Sequence, residues 1–224
     1  MRKLMPSEIM NGTVIGYIPE EERDPFFEKW TELVLSEATL YKVTKYVEAP
    51  IEVLMQIRTE IEKLRDVVWK SSLKYIYTPT MAKFNFLLNG NIYVTNNEDF
   101  PYEKRNEKEQ TKMKNIYDNK PKDGTVIGKV TDEELHEIKE LDIKFSAIDQ
   151  LSNHVQGRVN AKEFLELYKL VEEMERKRID IWLPIHKRLN ASIEWKLFVD
   201  YTNNDVYVQN YELPYYNDDS SEDE

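Results

Sequence analysis

The stretches NGTVIGYIPEEE, residues 11–22, and DGTVIGKVTDEE, residues 123–134, are nearly one sentence written twice, 112 positions apart. Each has a glycine in second place, Gly12 or Gly124, suited to a turn, and continues as a short β-branched run that predicts a strand over 13–18 and 125–130. Val14, Gly16 and Ile18 match Val126, Gly128 and Val130, which strand periodicity puts on one face. In the second stretch Thr131 and Glu134 have the spacing of a capping box, so a helix follows directly. In the first, Asp24-Pro25 predicts a later helix start, with Asp24 as cap.

Outward from these strands the two halves keep the same order. Phe26, Trp30, Leu33, Val34 and Tyr41 recur at helical spacing, as do Leu135, Ile138, Leu141, Phe145, Ile148 and Leu151. A second helix follows in each half. Pro50 opens one, with Ile51, Leu54, Ile57, Ile61, Leu64 and Val68 in register. Asn160 and Glu163 cap the other, with Phe164, Leu167, Val171, Met174, Ile181 and Ile185, and Pro184 should kink or end it. Gly157 is placed to close the helix before it. The period then changes to two. KFNFLLNGNIYVTN turns at Asn89-Gly90, and SIEWKLFVDYTNNDVYVQN turns near Asn203-Asn204, so each half ends in a hairpin. The return strands IYVTN and VYVQN lie 114 residues apart, so the beginnings and ends of the halves repeat together.

The fold class expected is therefore α+β, a tandem duplication of a βααββ unit in which a helical hairpin lies on a small antiparallel sheet. One such unit is marginal alone, which predicts that the two pack together as a pseudo-dimer. The divisions are a first repeat at 1–96, a charged linker at 97–122, a second repeat at 123–213 and a disordered acidic tail at 214–224.

Composition excludes several function classes. The chain of 26.8 kDa is 41% hydrophobic and 33% charged, with no run of about 20 apolar residues and no apolar signal core at its start, so a cytoplasmic protein without membrane association is expected. Without cysteine there is no disulfide, thiolate ligand or thiol nucleophile. The net charge is −11, of which the tail PYYNDDSSEDE supplies −5, and this acidity argues against duplex DNA as a partner. Richness in Lys, Glu, Asn, Ile and Tyr suits an AT-rich genome, such as that of a low-GC bacterium or its phage.

Candidate chemistry is sparse. Glu133, His136 and Glu140 share one helix face and contain the Glu-x-x-His element of carboxylate metal sites, but the same spacing describes any solvated helix face. His154 and His186 sit near expected helix ends, where a cation complements the dipole. The GTVIG run has neither phosphate-loop pattern, and no serine sits in a nucleophile elbow. No cofactor and no catalytic residue is expected, and the chain is not read as an enzyme.

The hairpins are rich in aromatics: Phe84, Phe86 and Tyr93 in one, and Trp195, Phe198, Tyr201 and Tyr207 in the other. Alternation turns Trp195 inward and leaves Phe198 and Tyr207 on the opposite face. With Tyr211, Tyr215, Tyr216, Asp218 and Asp219 of the tail, Phe198 and Tyr207 form the expected partner-binding set. The leading reading is a protein-interaction or regulatory factor, of the kind a phage or mobile element uses to modulate a host protein. The alternative is a single-stranded nucleic-acid-binding or replication-accessory protein whose acidic tail regulates access, since aromatics on a sheet can stack unpaired bases. A metal-dependent enzyme using Glu133, His136 and Glu140 is the third. The tail resembles those of phage and bacterial single-strand-binding proteins over its last dozen residues, without their terminal Phe or all-β pattern.

Overall fold

The computed structural model describes residues 9–77, 83–95, 114–118, 120–154 and 159–209. Among these, the first half runs β1 (Val14–Tyr17), α1 (Glu20–Tyr46), α2 (Ile51–Ser72), a single 3-10 turn (Leu73–Tyr75), β2 (Phe84–Phe86) and β3 (Asn91–Val94). The second runs β4 (Val126–Lys129), α3 (Asp132–His154), α4 (Ala161–Arg188), β5 (Leu197–Val199) and β6 (Asp205–Val208). The class is α+β, with four helices and two small antiparallel sheets, ordered β1-β3-β2 and β4-β6-β5, among the described residues. No described helix is long and apolar enough to cross a membrane.

The sheets agree bond by bond. Gly12 N–H donates to Val94 O at 2.8 Å, and Gly124 N–H to Val208 O at 2.8 Å. Val94 N–H returns to Thr13 O, and Val208 N–H to Thr125 O, both at 3.0 Å. Each first strand also carries a bulge, because Val14 opposes Tyr93 while Gly16 opposes the adjacent Ile92, and Val126 and Gly128 oppose Tyr207 and Val206 in the same way. The bulge corrects the simple alternation expected over 13–18. Over 13–18, Thr13, Ile15 and Ile18 are the side chains wholly inside, and Val14 is not.

Helix starts obey local chemistry except in α1. The capping boxes Thr131–Glu134 and Asn160–Glu163 both form, each with reciprocal side-chain bonds. Helix α1 instead starts at Glu20 behind Pro19, before Asp24-Pro25, and Pro25 lies inside it. Glu20, Glu21 and Glu22 suit the positive helix end, and Arg23 Nε donates to Ile18 O at 3.2 Å, tying the first turns to the strand. Glu22 also joins Lys74 and Tyr75, which hold its carboxyl below the usual carboxylate range. Pro184 likewise fails to end α4, which continues to Arg188. Gly157 lies outside the described residues.

Helix α1 is buried on two sides. Phe26 and Leu33 pack with α2 and the first sheet, while Val43 and Val47 join α3, α4 and the second sheet in one apolar cluster. Val34 and Tyr41, expected inside, are exposed, because Leu35, Thr39 and Val43 face inward in their place. Contacts across the halves are polar as well as apolar. Tyr46 donates to Asp149 Oδ1 at 2.6 Å, and Lys42 of α1 pairs with Glu175 of α4, whose other oxygen lies 2.6 Å from Arg178. Glu175 is wholly buried, and its pairing is one of charge and distance, since neither oxygen has a well-angled hydrogen bond.

The packing is not two-fold. Helix α1 lies along α4 and touches α3, whereas α2 makes no comparable contact with α3 among the described residues. A two-fold pseudo-dimer would require both. The halves therefore meet asymmetrically, and a surface used on one need not be used on the other.

Candidate functional site

The cross-strand pairings define a row of side chains across each sheet. In the first, Val14 and Asn85 flank Tyr93; in the second, Val126 and Phe198 flank Tyr207 at the corresponding positions. Neighbours paired this way share a sheet face. Their surroundings differ completely. Tyr93 is 0% exposed, whereas Val126 is 56% exposed and both Phe198 and Tyr207 are half-buried.

Two segments account for the burial of Tyr93. Residues 114–117 run beside β1, with Val14 N–H donating to Lys114 O and Ile116 N–H to Gly12 O, each at 3.0 Å. Asn115 is buried there and its side-chain amide donates to Asn11 O at 2.7 Å. From the other half comes Glu194, whose carboxyl lies near enough to Tyr93 for each to affect the other's titration. Burial holds the Tyr93 phenol well above its usual range and also raises the Glu194 carboxyl, an effect the Tyr93 hydroxyl opposes. The Tyr93 hydroxyl nonetheless makes no hydrogen bond of good geometry. Tyr93, grouped by sequence with the aromatics that could meet a partner, thus belongs to the contact between the halves.

The open row has its own local order. The Phe198 and Tyr207 rings stack with centroids 6.1 Å apart and planes 30° apart, and Lys196 Nζ sits 5.2 Å from the Phe198 centroid. Nearby, Tyr201 donates to Asp142, and burial together with that carboxylate pushes its phenol up to about 12. The sequence placed Phe198 and Tyr207 together and the structure does so too. It adds Val126, which the sequence placed only on a strand face with Gly128 and Val130.

The other sequence-derived candidates are scattered. Tyr211, Tyr215, Tyr216, Asp218 and Asp219 lie outside the described residues. His136 faces Glu140 at 3.5 Å on an exposed helix face, with Glu133 also exposed. No three His, Asp or Glu side chains gather to hold a metal among the described residues. His154 ends α3, and nothing further is assigned to it.

His186 enters a feature that sequence spacing did not show. A half-open cleft of about 380 Å³ lies where the β2–β3 turn and residues 114–116 meet the end of α4 and the loop leading to Trp195. His186 Nδ1 and Trp195 Nε1 are buried there without a well-formed hydrogen bond. Burial lowers the His186 pKa, partly offset by the backbone of Ala191 and Ser192. Trp195, expected on a strand, instead lies in the turn before β5, where it packs against the larger core. Ser192 lines the cleft with His186, but its hydroxyl accepts from Glu194 N–H and makes no hydrogen bond to His186 Nδ1, so no activated nucleophile is formed there.

No protein-family model, curated protein or solved structure matches the chain.

Proposed function

We propose that this chain is a non-enzymatic protein-interaction factor, made by tandem duplication of a βααββ unit and presenting its second sheet to a partner. The observation that carries the reading is the contrast between wholly buried Tyr93 and its half-open counterpart Tyr207, which stands beside the exposed Val126 and the half-buried Phe198. Matching bulges, ladder bonds and element order support the duplication. Residues 114–117 beside β1 and Glu194 beside Tyr93 account for the cover over the first tyrosine, and the asymmetric contact between the halves is consistent with different surfaces being buried on each. Aromatic side chains at the centre of an otherwise charged surface are the residues that anchor protein interfaces. A regulatory role in the cytoplasm, as a phage or mobile-element factor acting on a host protein, fits a compact scaffold with a polyanionic tail.

The test is affinity capture with the intact chain and with a Phe198→Ser/Tyr207→Ser double variant of matched thermal stability. A protein captured by the first and lost by the second is the expected result. Steady turnover of a substrate by the purified chain, or capture unchanged by the double variant, overturns the reading.

One observation favours a second reading. Lys196 over the Phe198 ring, itself stacked on Tyr207, is a cation beside an aromatic face, which suits unpaired bases. Fluorescence anisotropy of a labelled single-stranded oligonucleotide at low salt, with the full chain and with a chain ending at Pro214, decides it. Salt-sensitive binding that appears on truncation makes the tail a regulator of nucleic-acid access.

A further inference from the structure

Corresponding glycines show that the two first strands present the same edge to different neighbours. Gly12 has φ +80° and Gly124 φ +71°, so both use the left-handed region that glycine tolerates. A side chain at Gly12 would overlap the Asn115 side chain and the Tyr117 ring, whereas at Gly124 nothing lies within 4 Å. The backbone bonds repeat this difference. Four bonds of the first half have direct counterparts: Gly12 to Val94, Val94 to Thr13, Thr13 to Met10 and Ile18 to Gly90 become Gly124 to Val208, Val208 to Thr125, Thr125 to Lys122 and Val130 to Asn204. The bonds that Val14 N–H and Gly12 O make with residues 114–116 have no counterpart at Val126 N–H and Gly124 O among the described residues.

An exposed strand edge with an unused donor and acceptor is a template for an added strand. Here the chain itself displays what such an edge accepts. Residues 114–116 approach β1 antiparallel, with Thr13 and Asn115 as the bridged pair. The buried Asn115 side chain bonds a main-chain oxygen, which the second half supplies equally at Asp123, and its Oδ1 accepts from Tyr117 N–H at 3.0 Å. The recognition is therefore of backbone and of one amide, with an aliphatic and an aromatic residue following. Beyond Val126 the edge is already occupied: Arg188 donates to Lys129 O at 2.9 Å, and a side chain at Gly128 would overlap Leu189. Only a short segment fits.

We propose that the outer edge of β4 at Gly124–Val126 is a strand-addition site for a short extended peptide of a partner protein, carrying Asn followed by an aliphatic and an aromatic residue. This rests on the interaction reading above and names the partner's chemistry. Val126 belongs both to this edge and to the open row, so a strand added here extends that row by one place on the side of Val126 away from Tyr207.

The test uses the full chain, isotopically labelled, and an unlabelled synthetic peptide spanning residues 112–118. The Val126 amide is expected to exchange rapidly with solvent alone and to be protected by the peptide, with shift changes centred on Gly124, Val126 and Tyr207. Methylating the peptide nitrogen that corresponds to Ile116, which removes the bond to Gly124 O, should weaken binding at least about tenfold, the factor that loss of roughly 1.4 kcal/mol gives. Three results overturn the proposal. The Val126 amide is protected without peptide independently of concentration, so that another part of this chain holds the edge; its protection rises with concentration, so that a second copy does; or the peptide perturbs only β1. Loss of partner capture in the Phe198→Ser/Tyr207→Ser variant without any peptide effect at Val126 removes strand addition and leaves the interaction reading standing.

Discussion

Tyr93 and Tyr207 occupy corresponding places at the centre of two three-stranded sheets, each facing a valine on the first strand, yet Tyr93 is sealed and Tyr207 is half open. The difference comes from residues 114–117 and Glu194, which lie against the first sheet and Tyr93, because the ladders beneath the two tyrosines match. It makes the two tyrosines unequal in energy. Tyr93→Ala removes a wholly buried ring and should destabilise the chain by roughly 3–5 kcal/mol. Tyr207→Ala should cost about 1 kcal/mol, near the middle of ordinary substitutions. Urea denaturation of the two variants measures both. Equal losses would mean that the second row is also covered.

Gly12 and Gly124 give the same contrast at the backbone. Placing alanine in the left-handed region costs about 1–2 kcal/mol, and both Gly12→Ala and Gly124→Ala should show that loss. Only Gly12→Ala must also displace Asn115 and Tyr117, which adds roughly 1–3 kcal/mol of overpacking. Gly12→Ala should therefore have a clearly lower denaturation midpoint than Gly124→Ala, with unchanged slope. Midpoints that coincide would show that residues 115–117 yield freely.

What could be read from sequence was what depends on near neighbours. Thr131 with Glu134 and Asn160 with Glu163 are complete within one turn, and both boxes form. The alternation around Phe86, Ile92, Val206 and Val208 likewise reports a buried sheet face that the strand itself encodes. Failures fall where distant groups decide. Pro25 looked like a helix start because proline suits a first turn; contacts of Arg23 with Ile18 and of Glu22 with Lys74 and Tyr75 extend the helix past it. The stripe on α1 was misplaced because the helix has two buried sides, facing the first sheet and α4, and their sum no longer has a single helical stripe. Phe198 and Tyr207 were legible as an outward pair, but Val126 joins them only through strand pairing. Tyr93 carries the same alternation as Tyr207, and nothing in that pattern says that Glu194 and residues 114–117 cover it.

Lys42 and Glu175 should reveal how far the contact between α1 and α4 depends on charge. Removing one partner of a buried pair leaves a carboxylate whose desolvation is no longer fully offset, here with only Arg178 remaining. Lys42→Met should destabilise by roughly 3 kcal/mol, the lower end for such a break because Arg178 stays in place. The double variant Lys42→Met/Glu175→Met should recover most of that loss, since apolar replacement of a whole buried pair is often neutral or better. Thermal denaturation of the single and double variants tests both statements. A double variant as unstable as the single one would mean that packing, not the orphaned charge, is at stake.

Glu194 predicts a pH dependence with a definite sign. Burial raises its pKa above 4.5 in the folded chain, with the Tyr93 hydroxyl pulling weakly the other way. From 4.5 upward to the folded pKa, the folded state therefore binds more protons here than the unfolded state. The contribution of Glu194 to stability is fully present below 4.5 and is lost as pH climbs through the folded value. His186 acts oppositely: its pKa is lowered from 6.5, so its contribution is lost as pH falls through the folded value. Glu194→Gln removes the first effect and keeps the second. The stability of the wild-type chain minus that of Glu194→Gln should decline with rising pH above about 4.5 and level off once the folded carboxyl has ionised. Chemical denaturation at a series of pH values gives this difference directly, and a difference that rises with pH would place Glu194 as a stabilised carboxylate instead of a buried acid beside Tyr93.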